Sequence, residues 1–94
     1  MKPENVNPGN FKVEKILFNN NEFSIAYGMW NNESEKLGMR WNGSSDNDPG
    51  YPKVFRNPMW FMVDEGLTIP FLKSIISSKG SNDKNILEIL NKIL

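Results

Sequence analysis

Large and small side chains alternate along residues 23–29, and this alternation constrains the fold more than any other feature of the chain. The large positions are Phe23, Ile25, Tyr27 and Met29, and the small positions are Ser24, Ala26 and Gly28. A period of two is typical of a strand with one buried face. Residues 23–30 are therefore predicted to form a strand, with FKVEKILF as its hairpin partner across the polar NNNE connection.

The same alternation returns in LGMRWN, residues 37–42, with large side chains at the odd positions. Opposed residues in an antiparallel pair share a face, so the register must keep the large side chains together. The predicted cross-strand pairs are Met29 with Met39, Tyr27 with Trp41, and Trp30 with Gly38. The other face holds small and polar residues and is predicted to be open to water or to a partner.

The second half of the chain predicts one more strand and then two helices. The apolar run MWFMV, residues 59–63, is typical of a more central strand. A helix over residues 68–80 has Thr68 as its cap and Gly80 at its end. A second helix begins near Asp83 and is capped by one of residues 81–83. Strands before helices predict an α+β domain: an antiparallel sheet of three to four strands, followed by two C-terminal helices packed on one face.

Length and composition fit a single α+β domain, residues 11–94, preceded by a flexible leader. Residues 1–10 are rich in Pro, Gly and Asn, which favour irregular backbone. A chain of 94 residues can bury only a thin core. The apolar stripe of the last helix is wide for a surface helix, so we expect a homodimer through the C-terminal helix.

The chain has no Cys and no His, which excludes several classes of site. Disulfides, thiolate nucleophiles, serine triads and Cys- or His-ligated metals are all absent. The 11 basic and 11 acidic residues balance, so no overall attraction to nucleic acid or membrane is expected. No apolar run approaches the roughly 20 residues that span a bilayer, and no signal peptide is recognised, which makes the cytoplasm the expected location.

Metal binding has one weak candidate, the DNDPG segment. Asp46 and Asp48 resemble the opening of a calcium loop. Such a loop needs an acidic ligand near its twelfth position, where this chain has Asn57. We therefore expect no metal and no cofactor.

The candidate binding residues are aromatic and basic. Residues 36–60 hold four cations and two acids, whereas residues 1–35 hold three cations and five acids. Rings that stack on bases, beside cations that contact phosphates, are typical of single-stranded nucleic-acid binders. Trp41 and Trp60 are more simply interpreted as core residues. The predicted ligand or partner surface consists of Arg40, Asn42, Tyr51, Lys53, Phe55 and Arg56.

The strings RWNG, GYP and NPMWF, within residues 23 to about 76, resemble a pattern of small uncharacterised bacterial proteins. The resemblance implies a family, often carried on mobile elements or gene cassettes, and no activity. A weaker resemblance is to the transcriptional-coactivator type of single-strand DNA-binding domain. It implies dimerisation through the helix and nucleic-acid contacts from Arg40, Lys53, Arg56 and Trp41. The chain departs from that family in its zero net charge and its long, partly acidic loop.

Three functions remain open at this point. The first is a non-enzymatic binding or interaction module with a protein or small-molecule ligand. The alternative is a single-stranded nucleic-acid-binding protein. The second alternative is a small carboxylate-dependent enzyme, which requires a pocket with a desolvated carboxylate.

Overall fold

A computed structural model describes residues 1–94 and has an antiparallel sheet followed by two helices, so the predicted fold class is confirmed. The long strands are β1 (Phe11–Asn19), β2 (Phe23–Trp30) and β3 (Ser34–Trp41). The two-residue strands are β4 (Lys53–Val54), β5 (Asn57–Pro58) and β6 (Phe61–Met62). The helices are α1 (Thr68–Ile75) and α2 (Asp83–Ile93), with short 3-10 helices at Pro3–Asn5 and Glu65–Leu67.

The strands form a four-stranded sheet in the order β1-β2-β3-β6, and β4 and β5 form a separate hairpin. The run of residues 59–63, predicted to be a central strand, contributes only the short edge strand β6. The N–H of Met59 bonds instead to the Pro52 carbonyl, at 2.9 Å, and closes the β4–β5 hairpin. Only Phe61 and Met62 then pair with β3.

The predicted faces of β2 and β3 are correct, but the predicted register is wrong. The observed pairs include Phe23 with Trp41, Ile25 with Met39, Tyr27 with Leu37, and Trp30 with Ser34. The turn spans only residues 31–33, because Asn31 and Asn32 adopt positive φ values of 52° and 57° that asparagine tolerates. β3 therefore begins at Ser34, earlier than predicted. The observed and predicted registers differ by an even number of residues, so every side chain remains on its predicted face of the sheet.

Both helices cover the odd-numbered face of β2 and β3. The buried cluster there comprises Leu17, Ile25, Tyr27, Leu37, Val63, Leu72, Ile86, Ile89 and Leu90. The apolar stripe of α2 thus packs on the sheet of its own chain, and only Leu87 and Leu94 remain as exposed large apolar residues of this segment. Neither helix has the length and apolar character needed to cross a membrane.

The helix ends differ in how well they were predicted. α2 begins at Asp83 as predicted, and the Asn82 side chain caps it by accepting from the Asn85 N–H at 3.1 Å. α1 ends at Ile75 and not at Gly80, because Ile76 leaves the helical conformation with a ψ of 138° and Ser77 follows with a positive φ of 66°. Thr68 does not cap α1; its preceding residue occupies the cap position without a side-chain bond.

Residues 1–10 lie across the other face of the sheet. Pro3 and Val6 are buried, and Val6 packs in a second cluster with Phe11, Ala26 and Trp60. The side chain of Asn7 accepts from the N–H of Val13 at 2.8 Å. The segment expected to be a flexible leader is thus packed on the sheet. The face expected to be open is covered.

Candidate binding surface at the edge of strand β3

Arg40 lies beneath the long loop that joins β3 to β6. Its side chain is only 1% exposed, and its guanidinium donates to the carbonyl oxygens of Pro49 and Met59. No carboxylate pairs with it, and burial lowers its pKa from the ordinary value. The predicted role of Arg40 on an exposed surface is therefore wrong. Because its two acceptors flank residues 50–58, Arg40 holds the two ends of this loop together.

Asn42, also predicted to be on the surface, is buried at the end of β3. Its side-chain oxygen accepts from the Ser24 hydroxyl at 2.7 Å. Its side-chain nitrogen donates to the Asn19 side chain at 3.1 Å. Asn42 thus satisfies polar groups of β1 and β2 and is not available to a ligand.

Asp48 organises the first part of the same loop. Its carboxylate accepts from the N–H and the hydroxyl of Ser44, each at 3.0 Å, and from the N–H of Gly50 at 2.9 Å. These bonds, led by the Ser44 N–H, lower the pKa of Asp48 to about 2. The structure has no group of three or more Asp, Glu, His or Cys side chains that could hold a metal ion. The hydrogen bonds of Asp48 stabilise the turn that residues 44–50 form.

The β4–β5 hairpin extends from this loop. Lys53 pairs with Pro58, and Val54 with Asn57. Phe55 sits in the tip with a positive φ of 57°, an uncommon conformation for an aromatic residue, and its side chain is 90% exposed. Of the six predicted surface residues, Tyr51, Lys53, Phe55 and Arg56 are exposed.

Aromatic side chains form a row where the sheet meets this loop. Trp41 pairs with Phe23 on one side and with Tyr51 on the other, and opposed residues share a face. The rings of Phe23 and Trp41 meet edge to face, with centroids 4.8 Å apart. Phe61 pairs with Met39 two residues along β3, so it lies on the same face next to the row.

We use the name β3 edge surface for the exposed apolar residues of this row and of the β4–β5 hairpin, which are Trp41, Tyr51, Phe61, Val54 and Phe55. These are five of the eight exposed large apolar residues of the chain. Trp60 is buried, as predicted, but Trp41 is 53% exposed, so its assignment to the core is wrong. Three residues of this surface were not predicted from the sequence: Trp41, Val54 and Phe61. The sequence signal for two of them is positional: Trp41 ends its strand at an Asn-Gly turn, and Phe61 follows Pro58 on an edge strand.

The acidic side chains give no support to catalysis at this surface. No Asp or Glu is buried, and the half-buried ones are Glu35, Asp48 and Asp83. Each of these three carboxylates accepts hydrogen bonds from the protein itself. Burial raises the pKa of one carboxylate, Glu14, which lies beside Glu35 at the start of β3 and not at this surface.

No protein-family model, curated protein or solved structure matches the chain.

Proposed function

We propose that this protein is a non-enzymatic interaction module that binds a protein partner through the β3 edge surface. The observation that carries the proposal is the exposure of five large apolar side chains at the end of β3 and on the β4–β5 hairpin that follows it. Exposed large apolar side chains concentrated in one part of a small protein are typical of a binding site. Trp, Tyr and Phe are also the residues enriched in the central part of protein interfaces.

The rigidity of the surface supports the proposal. Arg40 fixes both ends of the loop from below, and Asp48 fixes its first turn. Backbone bonds in both directions join Trp41 and Tyr51, at 2.7 and 3.2 Å. Side chains that are ordered before binding lose less conformational entropy when a partner arrives, which favours affinity.

A single-stranded nucleic acid is the second candidate ligand. Lys53 and Arg56 stand beside Tyr51 and Phe55 in the sequence, and all four are exposed. Exposed rings with adjacent cations suit stacked bases and their phosphates. The charge balance favours the protein partner, because the same loop carries Asp46 and Asp48 and the chain has no net charge.

A homodimer through α2 is not part of the proposal. The dimer was predicted from the apolar stripe of α2, and this stripe packs against the sheet of the same chain. Self-association through the β3 edge surface would be one form of the proposed protein binding, and light scattering against the chain mass of 10.8 kDa detects it.

Site-specific photocrosslinking tests the proposal in cells that naturally contain the protein. A photoreactive phenylalanine at Phe55 is expected to give a discrete crosslinked protein. The matched control is the same probe at Leu87, which is exposed on α2. The Phe55 product is expected to disappear in a Trp41→Ala, Tyr51→Ala double variant. Equal products at both positions, or a product that survives the double variant, would contradict the proposal.

An oligonucleotide titration distinguishes a single-stranded nucleic-acid ligand from a protein partner. Fluorescence anisotropy with a labelled single-stranded 20-mer is measured at several salt concentrations. A nucleic-acid binder loses affinity steeply as salt rises, because bound phosphates release counterions. The protein-partner proposal expects no saturable binding at low salt. Tight, salt-dependent binding that Lys53→Ala weakens would favour nucleic acid instead.

A further inference from the structure

A cavity of about 360 Å³ lies at the end of β3 opposite to Trp41. It opens where the start of β3 and the start of α1 meet the last turn of α2. Its polar lining consists of Tyr27, Ser34, Glu35, Glu65 and Thr68, and Ile69 and Ile93 supply an apolar wall. A cavity of this volume suits a small molecule.

Two hydroxyl groups in this lining have no partner in the protein. Tyr27 is only 5% exposed and Thr68 only 8%, yet neither hydroxyl takes part in any hydrogen bond of the structure. The fully enclosed side-chain atoms without a partner are Asn10 Oδ1 and Arg40 Nε. The two hydroxyls are therefore open to the cavity. Because each hydroxyl is accessible from the cavity and has no partner in the protein, it is free to hydrogen-bond a molecule bound there.

The rim of the cavity already holds an alkylammonium group, the side chain of Lys92. Its Nζ donates to both carboxylate oxygens of Glu35, at 2.7 and 2.8 Å. The same Nζ lies 5.7 Å from the centre of the Tyr27 ring. A carboxylate next to an aromatic ring is the combination that recognises organic ammonium ions. Lys92 is half exposed, so its position can be taken by a competing amine.

The charges around the cavity balance while Lys92 bonds Glu35. The two lining carboxylates, Glu35 and Glu65, pair with Lys92 and Lys36 at 2.7 and 3.4 Å, and Glu14, next to Glu35, faces both Lys92 and Lys15. A cation that displaces Lys92 from Glu35 would keep this balance. Burial, followed by the hydrogen bond to Glu35, raises the pKa of Glu14. Burial, followed by the charge of Glu35, raises the pKa of Tyr27, which keeps its hydroxyl neutral. A metal ion is disfavoured because no three acidic side chains converge.

We propose that this cavity binds a small organic ammonium ion with a short apolar body. Glu35 and the Tyr27 ring bind the charged nitrogen, and the hydroxyls of Tyr27 and Thr68 accept its N–H groups. The apolar wall, Ile69 and Ile93, covers the hydrocarbon part. The site is separate from the β3 edge surface, so it stands or fails independently of the proposed partner.

NMR titration of the full chain with n-butylammonium chloride tests the proposal. The amide signals of Thr68, Ile69 and Ile93 are expected to shift and to saturate. Sodium butyrate, which has the same body and the opposite charge, is expected to leave them unchanged. N-acetyl-lysine methylamide is titrated in parallel. Binding of N-acetyl-lysine methylamide would indicate that the natural ligand is a lysine side chain of another protein. Binding of butylammonium alone would indicate that the natural ligand is a free small molecule.

Three variants make the test specific. Lys92→Ala frees Glu35 and is expected to bind butylammonium roughly two- to fivefold more tightly, the factor for loss of one partly exposed ion pair. Lys84→Ala, on the same helix, forms no ion pair in the structure and is the matched control. Tyr27→Phe and Thr68→Val remove the two hydroxyls while keeping side-chain shape, and each is expected to weaken binding at least twofold. Ser78→Ala, which removes an exposed hydroxyl outside the cavity lining, is their control.

Two results would contradict the proposed ammonium site. Shifts that do not saturate, or that butyrate reproduces, would overturn the proposal and leave the hydroxyls bonded to water alone. Equal affinity in the native protein, Lys92→Ala, Tyr27→Phe and Thr68→Val would also overturn it, because the ammonium would then be bound elsewhere.

Discussion

The indole N–H of Trp60 donates to the carbonyl oxygen of Val6 at 2.7 Å, in a buried contact between residues 54 positions apart. The bond joins the segment of residues 1–10 to the edge of the sheet. The same indole packs against Gly38: a Cβ there would lie 3.2 Å from Trp60 Cβ and Cε3. Trp60, and not Trp30 as the sequence predicted, is thus the ring that covers the bare backbone of Gly38.

Trp60→Phe is expected to destabilise the protein. The variant leaves the Val6 carbonyl buried without its donor, which costs roughly 1–3 kcal/mol in the free energy of unfolding. Urea unfolding followed by circular dichroism measures the loss. Trp41→Phe is the control, because that indole is exposed and makes no hydrogen bond in the structure. Equal losses in the two variants would show that the Val6 bond contributes nothing.

Arg40→Lys is expected to loosen the loop that carries the β3 edge surface. One ammonium cannot reproduce the planar fork that bonds Pro49 and Met59 together, so one carbonyl loses its donor. The expected cost is roughly 1–3 kcal/mol in unfolding free energy. Hydrogen exchange at the Tyr51 amide is expected to accelerate. Arg56→Lys is the control, since the guanidinium of Arg56 is exposed and makes only a long 3.4 Å contact with Asn47. Unchanged exchange in Arg40→Lys would contradict this account.

The first turn of the loop is expected to lose order in acid. The folded pKa of Asp48 is about 2, below its ordinary value of 3.8, so the ionised carboxylate stabilises the folded loop. This contribution is complete above about pH 4 and is lost as the pH falls toward 2. The amide shift of Gly50, followed from pH 6 to pH 1.5, is expected to have its midpoint near pH 2. In Asp48→Asn that titration is expected to vanish; a midpoint near 3.8 in the native chain would refute the prediction.

Gly28→Ala is expected to disturb the pairing of β1 and β2. A methyl group there would overlap the backbone carbonyl of Lys12 and lie 2.9 Å from the Phe11 ring. Because backbone atoms cannot move aside easily, the expected cost is about 1–3 kcal/mol, as for other overpacked sites. Gly9→Ala is the matched control, with no atom within 4 Å of the added methyl group. Thermal unfolding of both variants measures the difference. A native melting temperature in Gly28→Ala would show that the strands can separate to admit the methyl group.

Local patterns in the sequence were enough to predict the elements and their faces. The alternation in residues 23–30 and 37–42 predicts two strands and the side-chain face of each, and the structure has both. The cap residues near Asp83 predict the start of α2. These predictions succeed because strand alternation and helix capping depend on residues a few positions apart.

The tertiary structure decided which residues are exposed, and therefore where the candidate sites lie. Arg40 reads as a surface cation, but the carbonyls of Pro49 and Met59 and the ring of Trp60 enclose it. Trp41 is interpreted from the sequence as a core residue, but its ring meets Phe23 edge to face and remains 53% exposed. The hydroxyls of Tyr27 and Thr68 meet in one cavity although 41 positions separate them in the chain. Burial depends on segments distant in sequence, so local periodicity cannot determine it.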